Sequence, residues 1–148
     1  MEFTITQLPT FNIAGIAIRT TNANGQAQKD IGALWQRFMQ QNILQTIPNR
    51  ISDDIVCIYT DYESDFNEPY ITILGCKVTT DDNLPAGLVF KQIPAANYRL
   101  YKPVGQLPES IVQTWMHIWQ SQMPRAYGAD FDVYKQDGSA EIYLSVLP

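Results

Sequence analysis

Gln92-Ile93-Pro94-Ala95-Ala96-Asn97 repeats the frame of Gln7-Leu8-Pro9-Thr10-Phe11-Asn12, with glutamine, proline and asparagine each returning 85 positions later. In both copies a strand-like run ends at the proline, which cannot donate to a ladder, and a new one starts at the asparagine. Around the first copy, the alternation predicts strands over 3–8 and 12–19; around the second, over 87–93 and 97–103. A helical period follows each pair. Ile31, Leu34, Trp35, Phe38 and Asn42 share one side of a helix over 27–43. Ile111, Trp115, Ile118 and Gln122 do so over 108–122, with Val112, Met116 and Trp119 on the adjoining side and Pro108 in the first turn. Two strands close each unit: 54–61 and 69–78, then 130–136 and 140–146 around an Asp137-Gly138 turn. Ile58-Tyr59 matches Val133-Tyr134 at an offset of 75, so the connections of the second copy are shorter. The prediction is an α+β domain over 1–148, made of two pseudo-symmetric β-α-β-β halves (about 1–80 and 87–148). It should have an antiparallel sheet, both helices on one face, and a ligand pocket between the halves.

The composition fits a packed domain and excludes several functions. The 148 residues are 45% hydrophobic and 11% aromatic, but only 17% charged. Net charge is −5, and the ten Lys and Arg form no run, which argues against direct nucleic-acid binding. Cys57 and Cys76 lie in apolar runs and read as buried thiols. With no CxxC and one histidine, His117, neither a metal site nor a cofactor is expected. No stretch approaches the length of a membrane span, and Met1-Glu2-Phe3-Thr4 has no signal-peptide character, so a cytoplasmic location is expected.

Strand period then proposes a site. In the last strand, Ile142, Leu144 and Val146 share one face, expected to meet the helices, while Glu141, Tyr143 and Ser145 share the other. The same reasoning turns Phe131 and Val133 toward the helices and Tyr134 away from them. In the first half it sets Val56 and Ile58 against Cys57 and Tyr59, and Tyr70 against Ile71. The face away from the helices would then collect Tyr59, Tyr70, Tyr134, Tyr143 and Glu141. Aromatic rings around a carboxylate suit an organic cation, each ring worth ~0.5–2 kcal/mol. Such a face can also be an ordinary wet sheet surface. Trp115 shares its side with core positions, yet its ring edge could reach the seam.

Several segments resemble the GyrI-like effector-binding domains, the small-molecule modules of AraC-type and MerR-type drug-responsive regulators (BmrR-like multidrug-binding modules). The resemblance rests on Leu34-Trp35-Gln36-Arg37-Phe38, Ile58-Tyr59-Thr60-Asp61-Tyr62-Glu63 and Leu74-Gly75-Cys76-Lys77-Val78. It continues through Ile93-Pro94-Ala95-Ala96-Asn97-Tyr98, Thr114-Trp115 and Phe131-Asp132-Val133-Tyr134 to Glu141-Ile142-Tyr143-Leu144. It implies a free-standing member that takes bulky lipophilic cations, with the characteristic pocket glutamate at Glu141 and Tyr59, Tyr70, Trp115, Tyr134 and Tyr143 around it. Two other functions stay open. One is hydrolysis of strained, cyclopropane-containing toxins, with Glu141 activating water. The other is modulation of a topoisomerase or regulator, to which only the acidic run Asp61-Tyr62-Glu63-Ser64-Asp65 points.

Overall fold

The structure is a computed structural model that describes residues 2–63, 69–121 and 124–147. Ser64 and Asp65 of the acidic run and Gln122 at the predicted helix end lie outside those residues. Eight strands form one antiparallel sheet: β1 (Thr4–Leu8), β2 (Phe11–Thr20), β3 (Ile55–Thr60), β4 (Tyr70–Val78), β5 (Val89–Ile93), β6 (Ala96–Tyr101), β7 (Asp130–Tyr134) and β8 (Ala140–Ser145). Among the described residues, a short 3-10 turn (Ala23–Gly25) and three α-helices accompany them: α1 (Gln26–Gln40), α2 (Ile43–Thr46) and α3 (Glu109–Gln120). The helix expected over 27–43 is split where Asn42 takes a left-handed φ of 54°, a conformation that asparagine tolerates better than most residues.

The strands run β1-β6-β8-β7-β3-β4-β2-β5 across the sheet. Exchanging β1–β4 with β5–β8 turns that order into its own reverse, so a pseudo-twofold axis passes between β3 and β7. Their register pairs Cys57 with Asp132, and the sequence offset of 75 makes the same two residues equivalent in the two halves. The axis therefore passes beside them.

Strong curvature follows from the connections. Only Pro9 and Thr10 join β1 to β2, and only Pro94 and Ala95 join β5 to β6, although each pair is far apart in the strand order. The two linkers meet where the Ala95 amide donates to the Thr10 hydroxyl at 3.2 Å. Gly15 and Gly75 face each other on β2 and β4. A Cβ on Gly75 would lie 1.8 Å from the Ala14 carbonyl oxygen, and one on Gly15 would lie 2.1 Å from that of Leu74, so only glycine admits this close approach.

Curling folds the helix-free face onto itself and buries it. Ile13, Val56, Ile58, Ile73, Ile93, Tyr98, Phe131 and Val133 form its core. On the other face, Leu34 and Phe38 of α1 pack with Ile43 and Ile47 on Ile16, Cys57, Leu74 and Cys76. Ile111 and Ile118 of α3 pack on Tyr101, Ile142 and Leu144. Each helix covers one wing of the sheet, and the central strands β3 and β7 lie between them.

Candidate functional site: a cavity over the central strands

The gap between α1 and α3 is a cavity of about 870 Å³. Its walls are Ile31, Gly32 and Trp35 of α1 and Ile111, Trp115 and Trp119 of α3; Tyr59, Tyr70, Asp132 and Tyr134 form the sheet floor. Rings meet edge to face around it: Trp35 with Tyr134 (centroids 5.0 Å apart), Tyr59 with Trp115 (5.7 Å) and Tyr59 with Tyr70 (6.2 Å). Trp115 and Trp119 lie 6.1 Å apart along α3, and half-exposed Val112 and Met116 continue that wall to the mouth.

Asp132 is the acid on this floor. It is 1% exposed. The Trp115 indole N–H donates to Oδ1 at 2.8 Å, and the Tyr59 hydroxyl donates to Oδ2 at 2.9 Å. The Tyr134 hydroxyl donates more distantly, at 3.4 Å. Burial pushes the carboxyl up to about 7, against the downward pull of those three donors. Burial also holds the Tyr59 and Tyr134 phenols and the Cys57 thiol well above their ordinary values, so they stay neutral. Asp130, on the same side of β7, is a different case. It accepts from Arg125 at 3.0 Å, from the Tyr62 hydroxyl at 2.7 Å, and from the Ser145 amide and hydroxyl.

Tyr59, Tyr70, Trp115 and Tyr134 thus come together at one cavity, but on the helix-covered side of the sheet, not the opposite side expected for the tyrosines. Glu141 and Tyr143 stand on the other face. There, the Tyr143 hydroxyl donates to Glu141 at 3.2 Å, Lys135 lies 3.3 Å from the same carboxylate, and the Tyr143 ring stacks on Phe131 at 4.7 Å. Glu141, the base of the hydrolytic reading, is not among the residues that line the cavity. Strand pairing explains the displacement. Val133 is opposite Glu141, and Asp132 is opposite Ile142, so cross-strand neighbours share a face. Ile142 and Leu144 do meet α3. Phe131 and Val133 therefore cannot, and Asp132 and Tyr134 do. The period within β8 was read correctly; its phase relative to β3 and β7 was not. In a sheet buried on both sides, apolarity does not mark the helix side.

Asp132 was missed as a site residue. Its signal was a second acidic residue in the short buried strand Asp130-Phe131-Asp132-Val133-Tyr134, two positions before Tyr134 and equivalent by the repeat to Cys57. Trp35 was read as helix packing, Trp119 only as part of the adjoining side of the second helix, and Tyr62 as part of the acidic run.

Residues 4–146 match the Cass2 family, described as integron-associated effector binding protein. YobU, a transcriptional-regulator-like protein of Bacillus subtilis (strain 168), is 29% identical over 140 residues, covering 91% of this chain and 88% of its own. The integron cassette protein VCH_CASS2 of Vibrio cholerae is 27% identical, with a TM-score of 0.78 over 98% of this chain and 95% of its own. SAV2435, solved with tetraphenylphosphonium bound, has the same fold: TM-score 0.78 at 18% identity, covering 99% of this chain and 94% of its own. Among the described residues no helix is long and apolar enough to cross a membrane.

Proposed function

We propose, from the premise that this chain belongs to the Cass2 family of integron-associated effector-binding proteins, that its cavity binds bulky lipophilic cations with Asp132 as the counter-charge. Membership makes the chain a GyrI-like effector-binding module for small molecules; the ligand class is the further step. One observation carries it: the Asp132 carboxylate is buried among Tyr59, Tyr134 and Trp115, and among the described residues no cationic side chain pairs with it. A buried carboxylate is costly without a counter-ion. A ligand cation supplies the charge, and the ring faces of Trp35, Trp119 and Tyr70 add quadrupole attraction at ~0.5–2 kcal/mol per good contact. The volume suits a drug-sized molecule. That a protein of the same fold holds tetraphenylphosphonium agrees with this choice.

Tyr59, Tyr70, Trp115 and Tyr134 keep the ligand-contacting role the sequence assigned to them, and Asp132 takes the role expected of Glu141. Duplex DNA is not part of the reading, because a net charge of −5 opposes a phosphate backbone. The test is calorimetry with tetraphenylphosphonium and with neutral triphenylphosphine oxide. Charge-assisted contacts of ~1–3 kcal/mol predict about a 5- to 150-fold preference for the cation. Equal affinities for the two would refute the counter-charge role.

A further inference from the structure

We propose that Asp132 exchanges a proton for its ligand, so that a cation entering the cavity displaces a hydrogen ion from this carboxyl. The inference rests on the cation-binding reading and adds its regulation. Its basis is the contrast between two acids two residues apart on β7. Asp130, 0% exposed, has a resident cation in Arg125 at 3.0 Å, besides Tyr62 and Ser145. Asp132, 1% exposed, has, among the described residues, only neutral donors, from Trp115, Tyr59 and Tyr134. A dehydrated carboxyl with no cation keeps its proton more readily than one in water. An arriving cation reverses that preference, and linkage requires the proton to leave as the ligand binds.

The surrounding groups leave Asp132 as the titrating site. Cys57 and Tyr59 of β3, Tyr134 of β7 and Tyr70 of β4 are all raised by burial, Tyr70 to about 12. Asp130 is compensated by Arg125. The Asp132 neighbour on β8 is Ile142. Among the described residues, α1 contributes no charged side chain to the cavity lining, and α3 contributes neither His117 nor Glu109; the charged lining residue besides Asp132 is Arg125, whose guanidinium pairs with Asp130 at 3.0 Å. The carboxyl itself is raised to about 7, which sets the window.

The experiment is calorimetry of tetraphenylphosphonium binding at about pH 6 and about pH 8.5, in paired buffers of different ionisation heat. Release of nearly one proton per ligand is expected at the lower pH and almost none at the higher. Affinity at pH 6 should be about tenfold below its alkaline plateau. In Asp132→Asn, the residual binding should lose this dependence. Intact binding with a flat pH profile and no proton release would overturn the exchange and leave cation binding standing. So would a profile that survives in Asp132→Asn. No binding at either pH would remove the cation reading and the exchange with it.

Discussion

Two aromatic assemblies lie on the two faces of one sheet, built from similar residues to opposite ends. On the helix-free face, Phe11, Tyr98 and Tyr143 close around Phe131 at centroid distances of 5.3, 5.4 and 4.7 Å. The curl of the sheet presses these rings together, and the nearby acid, Glu141, pairs with Lys135 and accepts a hydrogen bond from Tyr143. On the helix-covered face, Tyr59, Tyr134, Trp35 and Trp115 meet edge to face but enclose space, and among the described residues no cation pairs with their acid. What differs is what covers each face. A sheet folded on itself brings its own side chains into contact, whereas two helices seated on the outer wings leave the centre open.

The largest effect expected from breaking this comparison is on stability. Phe131→Ala removes the ring at the centre of the closed assembly and should cost ~3–5 kcal/mol in denaturant unfolding. Cation affinity of the remaining folded protein should hardly change; an affinity loss at full stability would mean that the closed face is itself a ligand site.

Exchanging charges between the faces comes next. Asp132→Asn should weaken tetraphenylphosphonium binding by about 10- to 150-fold, worth ~1.4–3 kcal/mol. Glu141→Gln should change it by less than about twofold, since the two carboxylates are separated by the sheet. A larger loss in Glu141→Gln would reverse the assignment of the two acids.

The same Asp132→Asn change sharpens the comparison through stability. The folded-state pKa of Asp132 is raised, from 3.8 to about 7. Between those values the folded protein binds more protons than the unfolded chain, so this group makes stability fall as pH rises through the window. Asp132→Asn removes the penalty. The variant should gain little at about pH 4 and ~1–3 kcal/mol above about pH 7, read as unfolding midpoints across pH. A variant less stable than the parent at high pH would mean that the three hydrogen bonds outweigh the burial of charge.

Smaller changes test single partners. Tyr59→Phe keeps the ring and deletes the 2.9 Å bond to Asp132. It should cost ~0.5–1 kcal/mol of cation affinity and move the midpoint of the pH profile upward, because a donor to the charged form is lost. Smallest of all, Lys135→Ala on the closed face should change stability by less than ~0.5 kcal/mol, as expected of a partly exposed ion pair.

All eight strands and the two long helices were legible in the sequence, because each depends on a local period or breaker. Asn42, whose left-handed turn splits the first helix, was the boundary missed. Within the site, the ring residues Tyr59, Tyr70, Trp115 and Tyr134 were legible as a group; the identity of their acid was not. Glu141 was chosen because it shares a face with Tyr143 on β8, a neighbourhood visible along one strand, and because the family resemblance implied the pocket glutamate there. The choice of Asp132 needs the partner strand as well.

The sequence by itself determined the order of elements, the repeat carried by Gln-Pro-Asn and the net charge, since all three are written in consecutive residues. Only the tertiary structure decided which face of the sheet each residue joins. The phase of β7 against β3 and β8 is set by pairings such as Cys57 with Asp132 and Val133 with Glu141, and by a curl that depends on two glycines meeting across β2 and β4. A strand buried on both sides carries no polarity to announce its phase. The difference between a carboxylate inside the cavity and one behind it is therefore a property of the assembled sheet.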